Sequence, residues 1–128
     1  MIIKPEYNWE NLRIGGSLPP IRTSEGWLVI YHGVEMANEK ENTVIYRAWV
    51  MLLDLADPAK VLKRSKRFIM EPEMYYEKSG LYIPNVIFPT GGYVDNNMLY
   101  LYYGACDTAI ALAAVDMDDL MEFIDKNA

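Results

Sequence analysis

A short run of sequence, GWLVIYHGV at residues 26–34, decides the fold class. The run is apolar and aromatic and follows the turn residues Ser24 and Glu25, a combination typical of a β-strand. The polar stretch EMANEKEN at 35–42 predicts a loop, and TVIYRAWVMLLDL at 43–55 predicts a second, longer strand. The turn at 56–58 (Ala-Asp-Pro) closes that strand, because proline presets φ.

The same features predict four more strands and one helix downstream. The strands are expected at 61–70, 85–94, 98–104 and 108–115, with an irregular stretch at 73–82. Asp95, Asn96 and Asn97 tolerate the positive φ that a tight hairpin requires. Apolar residues at helical spacing predict a short C-terminal helix over 117–127, capped by Asp116.

These elements together predict an all-β antiparallel fold with a short C-terminal helix. A sandwich, a barrel and a propeller all fit this periodicity. Two strand clusters, 26–70 and 85–115, each hold about one four-stranded propeller blade or slightly less. With 128 residues, of which 52% are hydrophobic, the chain is expected to form a single domain over residues 1–128.

The charge of the chain bears on its partners. A net charge of −6 and a pI near 4.7 argue against nucleic acid as a partner. One local run is basic, with five cations between positions 60 and 67, and we interpret it as the solvent side of a strand and its approach. A surface for an anionic partner is the alternative. The five cations are Lys60, Lys63, Arg64, Lys66 and Arg67.

The single cysteine, Cys106, excludes an internal disulfide and predicts a cytoplasmic setting. Its small neighbours favour a buried structural residue over a nucleophile. The first residues, MIIKPEYNWEN, lack the apolar core of a signal peptide. No apolar run approaches the ~20 residues of a membrane span, so no membrane partner is expected. No metal site is predicted.

The segment before the first strand, IGGSLPPI at 14–21, joins two glycines to two prolines. Glycines allow a backbone to approach a ligand closely, and prolines stiffen the path that follows. A surface turn and a ligand-lining loop are both open interpretations of this segment.

Five segments in a fixed order carry a resemblance to a known family. Together they resemble the C-terminal half of glycoside hydrolase family 130, the β-mannoside phosphorylases and related glycosidases, from about Trp9 to Leu120. The segments are RIGGSLPPI (13–21), GWLVIYHGV (26–34), YRAWVMLLDLADPAKVLKRS (46–65), IPNVIFPTGG (83–92) and LYLYYGACDTAIALA (99–113).

The resemblance implies a five-bladed β-propeller with a central active site, of which this chain would form about two blades. Family members cleave β-mannosides with inversion, most with inorganic phosphate as co-substrate and some with water, and no other cofactor is implied. The family's general acid, an aspartate, and two phosphate-binding arginines lie in the N-terminal blades. This chain is therefore expected to hold no catalytic residue and, alone, to be close to inactive, because general acid catalysis contributes about 10²–10⁴-fold.

The resemblance also assigns roles to five residues. Arg13, where the family usually has lysine, His32 and Tyr46 match phosphate-binding positions. Phe88 matches an aromatic residue that lines the sugar subsite, and Asp107 matches the aspartate that binds mannose hydroxyls. From the residues alone, His32 would be a structural histidine and Asp107 a turn residue, while a core role and a sugar-lining role for Phe88 are both open.

Three functions follow as alternatives. The chain could be part of a split or truncated mannoside phosphorylase, a binding module for a carbohydrate or phosphate without turnover, or a degenerate propeller fragment that oligomerises. Two blades leave sheet faces and edges uncovered, so a separately encoded N-terminal half or a second copy is the expected protein partner. Trp49 is expected either to fill blade packing or to narrow the channel. The side chains expected to be partly exposed are Trp27, Trp49, Tyr100 and Tyr102.

Overall fold

The computed structural model describes residues 1–128 as two antiparallel sheets and a C-terminal helix, which confirms the all-β prediction. The first sheet has the order β1-β3-β4-β5, with β2 also paired to β3, and the second has the order β6-β7-β8. The strands are β1 (Arg13–Gly16), β2 (Ile21–Arg22), β3 (Trp27–Asn38), β4 (Thr43–Leu53), β5 (Val61–Arg64), β6 (Ile87–Asp95), β7 (Met98–Ala105) and β8 (Ala109–Asp116).

Three short helical elements complete the chain. A 3₁₀ turn spans Asn8–Glu10, helix α1 spans Tyr75–Lys78, and helix α2 spans Met117–Asn127. Asp116 caps α2 as predicted, since its side chain accepts hydrogen bonds from two backbone N–H groups of the first turn. None of these helices is long and apolar enough to cross a lipid bilayer.

Alternation along the long β3–β4 ladder gives the first sheet two buried faces. Leu28 and Ile30 pair with Leu52 and Val50, so these four side chains share one face. This face packs on the inner face of the second sheet, where Leu99, Leu101, Tyr103 and Ala105 lie, and on Leu120 and Ile124 of α2. The main core therefore lies between the two sheets.

The opposite face of the first sheet is covered by the N-terminal segment. Trp49 and Tyr31 lie on this face, and Trp9 stacks on Trp49 with 5.7 Å between ring centroids. Trp49 is only 1% exposed, so the prediction that it would be partly exposed is wrong, and its bulk fills packing instead of narrowing a channel. The predicted partial exposure holds for Trp27 and Tyr100, which are half-buried, and for Tyr102, which is exposed on the outer face of the second sheet.

A buried ion pair fastens the N-terminal segment to the sheet. The Glu10 carboxylate is fully buried, accepts hydrogen bonds from the backbone N–H groups of Glu6 and Tyr7, and pairs with Arg64. Arg64 also donates to the Tyr31 hydroxyl. The interpretation of the basic run as solvent-facing is thus wrong for Arg64, whose side chain is 8% exposed, while Lys66 and Arg67 are exposed and without an ion pair.

Several predicted boundaries are corrected by the structure. The strand predicted over 26–34 is β3, and it continues to Asn38 through part of the predicted loop. The chain reverses only there, in an Asx turn in which the Asn38 side chain accepts a hydrogen bond from the backbone N–H of Lys40. The predicted strand 61–70 ends at Arg64, and the segment predicted to be irregular contains α1. The segment 14–21 contributes β1 and β2, which composition rich in glycine and proline concealed.

Two turns behave as their residues indicate. Asn96 and Asn97 both have positive φ in the β6–β7 hairpin, as predicted. Cys106 is fully buried, as predicted, and its thiol donates to the backbone oxygen of Glu77 at 2.9 Å. Cys106 and Asp107 both have positive φ and form the tight β7–β8 turn.

We expect Glu10→Ala to lower the free energy of unfolding by about 3 kcal/mol, because the buried guanidinium of Arg64 loses its buried carboxylate. Glu6→Ala is the matched control: it removes an exposed carboxylate from the same arginine and should cost less than about 1 kcal/mol. Urea unfolding followed by tryptophan fluorescence measures both. Equal losses would show that burial of the pair is not what holds the N-terminal segment.

Candidate functional site

Four of the five predicted site residues meet in one cluster, although each comes from a different strand. The His32 ring lies 4.4 Å from the Phe88 ring and 6.0 Å from the Tyr46 ring, measured between centroids. The Arg13 guanidinium lies over the Tyr46 ring, 5.9 Å from its centroid. We call Arg13, His32, Tyr46 and Phe88 the four-residue cluster.

Strand register explains how these residues come together. Val34 pairs with Tyr46 and His32 with Ala48, so His32 and Tyr46 project from the same face of adjacent strands, the face that meets the second sheet. Arg13 pairs with Val34 on the other side of β3.

Phe88 arrives where the chain leaves the first sheet for the second. The backbone N–H of Tyr46 donates to the carbonyl of Asn85 at 3.0 Å, and Tyr46 and Val86 form a parallel bridge. This short pairing ties the segment that precedes β6 to the part of the β4 edge that β5 leaves unpaired. Phe88, two residues beyond the bridge, is thereby held against His32.

The His32 imidazole is 7% exposed and closely surrounded. Its ring lies over Gly15, where an added Cβ would sit 2.6 Å from Cε1 and 2.7 Å from Nε2. The Ser17 hydroxyl is 3.4 Å from Nδ1. Burial, and secondly the positive charge of Arg13, lower the pKa of His32 below its ordinary value. The imidazole is therefore neutral at pH 7.

Arg13 is the free cation of this site. It is exposed and forms no ion pair, whereas Arg47 on neighbouring β4 is held by Glu35 and Glu71. An unpaired guanidinium next to a neutral imidazole and a phenol offers hydrogen-bond donors without a competing carboxylate. Such an arrangement suits an oxyanion.

Asp107 lies at the second sheet's near end, in the β7–β8 turn. Ala105, just before this turn, pairs with Ile87, and the backbone N–H of Cys106 donates to the carbonyl of Val86. The turn is thus attached to the same segment that carries Phe88. The Asp107 carboxylate is exposed and makes no hydrogen bond or ion pair with any of the four-residue cluster.

A cavity of about 430 Å³ opens beside Arg13. It is bounded by the β3–β4 turn at Asn42 and by the segment from Tyr82 to Pro84. A cavity of about 490 Å³ lies at the other end of β3 and β6, against α2, and none of the five predicted residues lines it. Of the four-residue cluster, Arg13 is the member that lines the cavity of about 430 Å³.

Two residues of the site were not singled out by the sequence. Gly15 and Ser17 contact the imidazole of His32, and both lie in the Gly-Gly segment for which a ligand-lining loop was one open interpretation. The adjacent glycines were the available signal, because only a residue without Cβ leaves room for the ring. Which residue faces the imidazole depends on the β1–β3 register.

Comparison with known proteins identifies a matching family model and relatives of similar sequence. A family model described as β-1,4-mannooligosaccharide phosphorylase matches residues 2–126. A 1,2-β-oligomannan phosphorylase of a Thermoanaerobacter species is 46% identical over 93% of this chain and 38% of its own length. A β-1,4-mannooligosaccharide phosphorylase of Ruminococcus albus is 34% identical over 99% of this chain and 37% of its own.

A solved structure shares the fold. The β-1,2-mannobiose phosphorylase of Listeria innocua, determined in complex with β-1,2-mannobiose, superposes with a TM-score of 0.81 at 38% identity. The alignment covers 94% of this chain and 32% of that protein. The chain thus spans only about a third of the length of the relatives it matches.

The lowered pKa of His32 predicts a pH dependence of stability. The unfolded chain takes up a proton near pH 6.5 while the folded chain resists it, so the free energy of unfolding should be level above that pH and fall as the pH drops below it. His32→Gln should flatten this slope between pH 7 and pH 5. Urea midpoints across that window measure it, and equal slopes in both proteins would contradict the prediction.

Proposed function

The chain belongs to the β-1,4-mannooligosaccharide phosphorylase family, glycoside hydrolase family 130, and from that premise we propose that it contributes the phosphate- and mannose-binding wall of a β-mannoside phosphorylase or glycosidase site. The observation that carries this proposal is the convergence of Arg13, His32, Tyr46 and Phe88 from four strands. The catalytic acid would come from polypeptide outside these 128 residues.

The donors of the cluster fit a phosphate ion. Arg13 supplies a charged fork that can bind two oxygens, in place of the point charge of the family's usual lysine. His32 and Tyr46 supply an N–H and an O–H at the side of that fork. Phosphate brings its own negative charge, so the site needs to gather donors and does not need a general base.

Phe88 and Asp107 fit the sugar. An aromatic ring offers an apolar face on which the C–H groups of a pyranose can pack. The Asp107 carboxylate, free of any protein partner, can accept hydrogen bonds from sugar hydroxyls. Phe88 lies two residues beyond Val86, and the turn that carries Asp107 is attached to Val86 through the backbone N–H of Cys106. In these positions the two residues would orient a mannose unit against the phosphate.

Inverting cleavage needs a proton donor for the leaving oxygen on the face of the sugar opposite the nucleophile. The four-residue cluster contains no carboxyl group that could serve as that donor. The chain would therefore bind and orient without turning over substrate. A mannose- and phosphate-binding module without turnover is the alternative if no partner supplies the acid.

Phosphate binding can be read from one resonance, because His32 is the only histidine. Phosphate should shift the imidazole ¹⁵N signals and raise the pKa of His32, since an anion stabilises the protonated ring. Arg13→Ala should weaken the apparent affinity about tenfold. Arg22→Ala removes an equally exposed cation from β2 and should leave it unchanged. Titration with chloride at matched ionic strength is the salt control, and a silent His32 would defeat the phosphate assignment.

The outer face of the second sheet supports a protein partner. This face is apolar and uncovered: Ile110 is 84% exposed, Leu112 53% and Tyr102 43%. It also ends in β8, a free edge whose only charged residue is Asp116. We propose that this face packs against a neighbouring blade of a five-bladed propeller, formed by the N-terminal blades of the family.

Mixing the chain with the N-terminal two-thirds of the Listeria innocua relative tests this partner. We expect a one-to-one complex in sedimentation and phosphate-dependent release of mannose 1-phosphate. Ile110→Lys should weaken the complex at least tenfold by burying an unpaired charge, while Leu62→Lys, at the exposed position of β5, should not. A stable monomer that forms no complex with the added polypeptide would refute the proposed contact with N-terminal blades. Self-association of the chain without that complex would favour the homo-oligomer.

A further inference from the structure

The two nitrogens of His32 have different surroundings. Nδ1 faces the Ser17 hydroxyl at 3.4 Å, which is the one hydrogen-bond contact of the imidazole. Nε2 lies above the Cα of Gly15 and has no protein partner. Nδ1 is therefore engaged by the protein, and Nε2 is available to a ligand.

A neutral imidazole carries its proton on one nitrogen only, and the partner of the other nitrogen selects which. A phosphate ion presents mainly acceptor oxygens, so an imidazole that binds it must carry the proton on the nitrogen that faces the ion. Nδ1 must then accept a hydrogen bond. The Ser17 hydroxyl is the group within reach that can donate one.

We propose that Ser17 is a positioning residue that donates its hydroxyl hydrogen to Nδ1 of His32 and holds the imidazole in the tautomer with the proton on Nε2. This inference rests on the proposed phosphate site and adds to it a residue to which no role was assigned. Ser17 would act through His32 without touching the phosphate.

The backbone around Ser17 is anchored on both sides. Its N–H donates to the carbonyl of Ile30 at 3.3 Å, directly after β1. The next residue, Leu18, is buried in the main core, and Ile21 then pairs with Leu28 of β3. Pro19 and Pro20 stiffen the path between these anchors. The hydroxyl is therefore held near the ring by packing.

The imidazole itself has little freedom to move away. Gly15 lies against one face, and the tilted Phe88 ring lies 4.4 Å away between centroids. These contacts restrict the ring plane but do not distinguish Nδ1 from Cδ2 or Nε2 from Cε1. Only a polar partner separates these orientations, and Ser17 supplies it.

The tautomer can be measured directly on the full chain. Long-range ¹H–¹⁵N spectra at pH 7.5 give the protonated nitrogen of the single histidine without any ligand. We expect Nε2–H in the wild type, a mixture of tautomers in Ser17→Ala, and recovery in Ser17→Thr, which keeps the hydroxyl. Ser24→Ala, an exposed serine in the β2–β3 turn, should change nothing. Nδ1–H in the wild type would overturn the proposal even if Ser17→Ala failed to fold.

Phosphate titration separates this proposal from the function on which it rests. Ser17→Ala should weaken the phosphate response of His32 about twofold with an unchanged urea midpoint, because only the fraction of molecules with the proton on Nε2 binds. If phosphate perturbs the wild type and Ser17→Ala equally, the role of Ser17 is refuted and the phosphate site stands. If the tautomer depends on Ser17 while phosphate has no effect, the positioning is supported and the phosphate site is refuted.

Discussion

The pairing of β3 with β4 is the constraint on which the rest of the structure depends. Alternation along this ladder sends Ile30, His32 and Tyr46 to one face and Tyr31 and Trp49 to the other. A shift of β4 by one residue would turn its side chains to the opposite face, removing Tyr46 from the site and placing Trp49 in the main core. The two faces are close-packed against different partners, so the clashes and voids that such a shift creates oppose it. The register that stabilises the fold is therefore the register that builds the site.

The site combines a free guanidinium with an imidazole that burial keeps neutral. Charge from Arg13 and directed hydrogen bonding from His32 are thus separate contributions, held apart by the Tyr46 ring. The glycine beneath the imidazole and the phenylalanine beside it leave the ring little room. The imidazole, fixed in this way, would lose little conformational entropy if the proposed anion binds. Its precision comes from strands, which hold side chains more rigidly than loops do.

Two independent observations support the proposal that further blades pack against the second sheet. The chain spans about a third of the length of its relatives, and the outer face of its second sheet is apolar and exposed. The first sheet is different, because its own N-terminal segment covers the second face through Trp9 and the Glu10–Arg64 pair. The outer face of the first sheet is thus covered, and the outer face of the second sheet is the open side. The four-residue cluster lies where the two sheets meet, so its geometry does not need the open side to be covered.

The sequence by itself determined the all-β class, the C-terminal helix with its Asp116 cap, the Asn96-Asn97 turn and the identity of the clustered residues, because these depend on local propensity and on motifs read in order. It did not find β1 and β2, since glycine and proline hide two short strands whose pairing partner, β3, comes later in the chain. It placed Trp49 and Arg64 too far toward solvent, because only the folded N-terminal segment brings Trp9 and Glu10 onto them. Only the tertiary structure decided that Gly15 and Ser17 face the imidazole, because that contact follows from strand register, which is fixed by burial of both faces of the sheet.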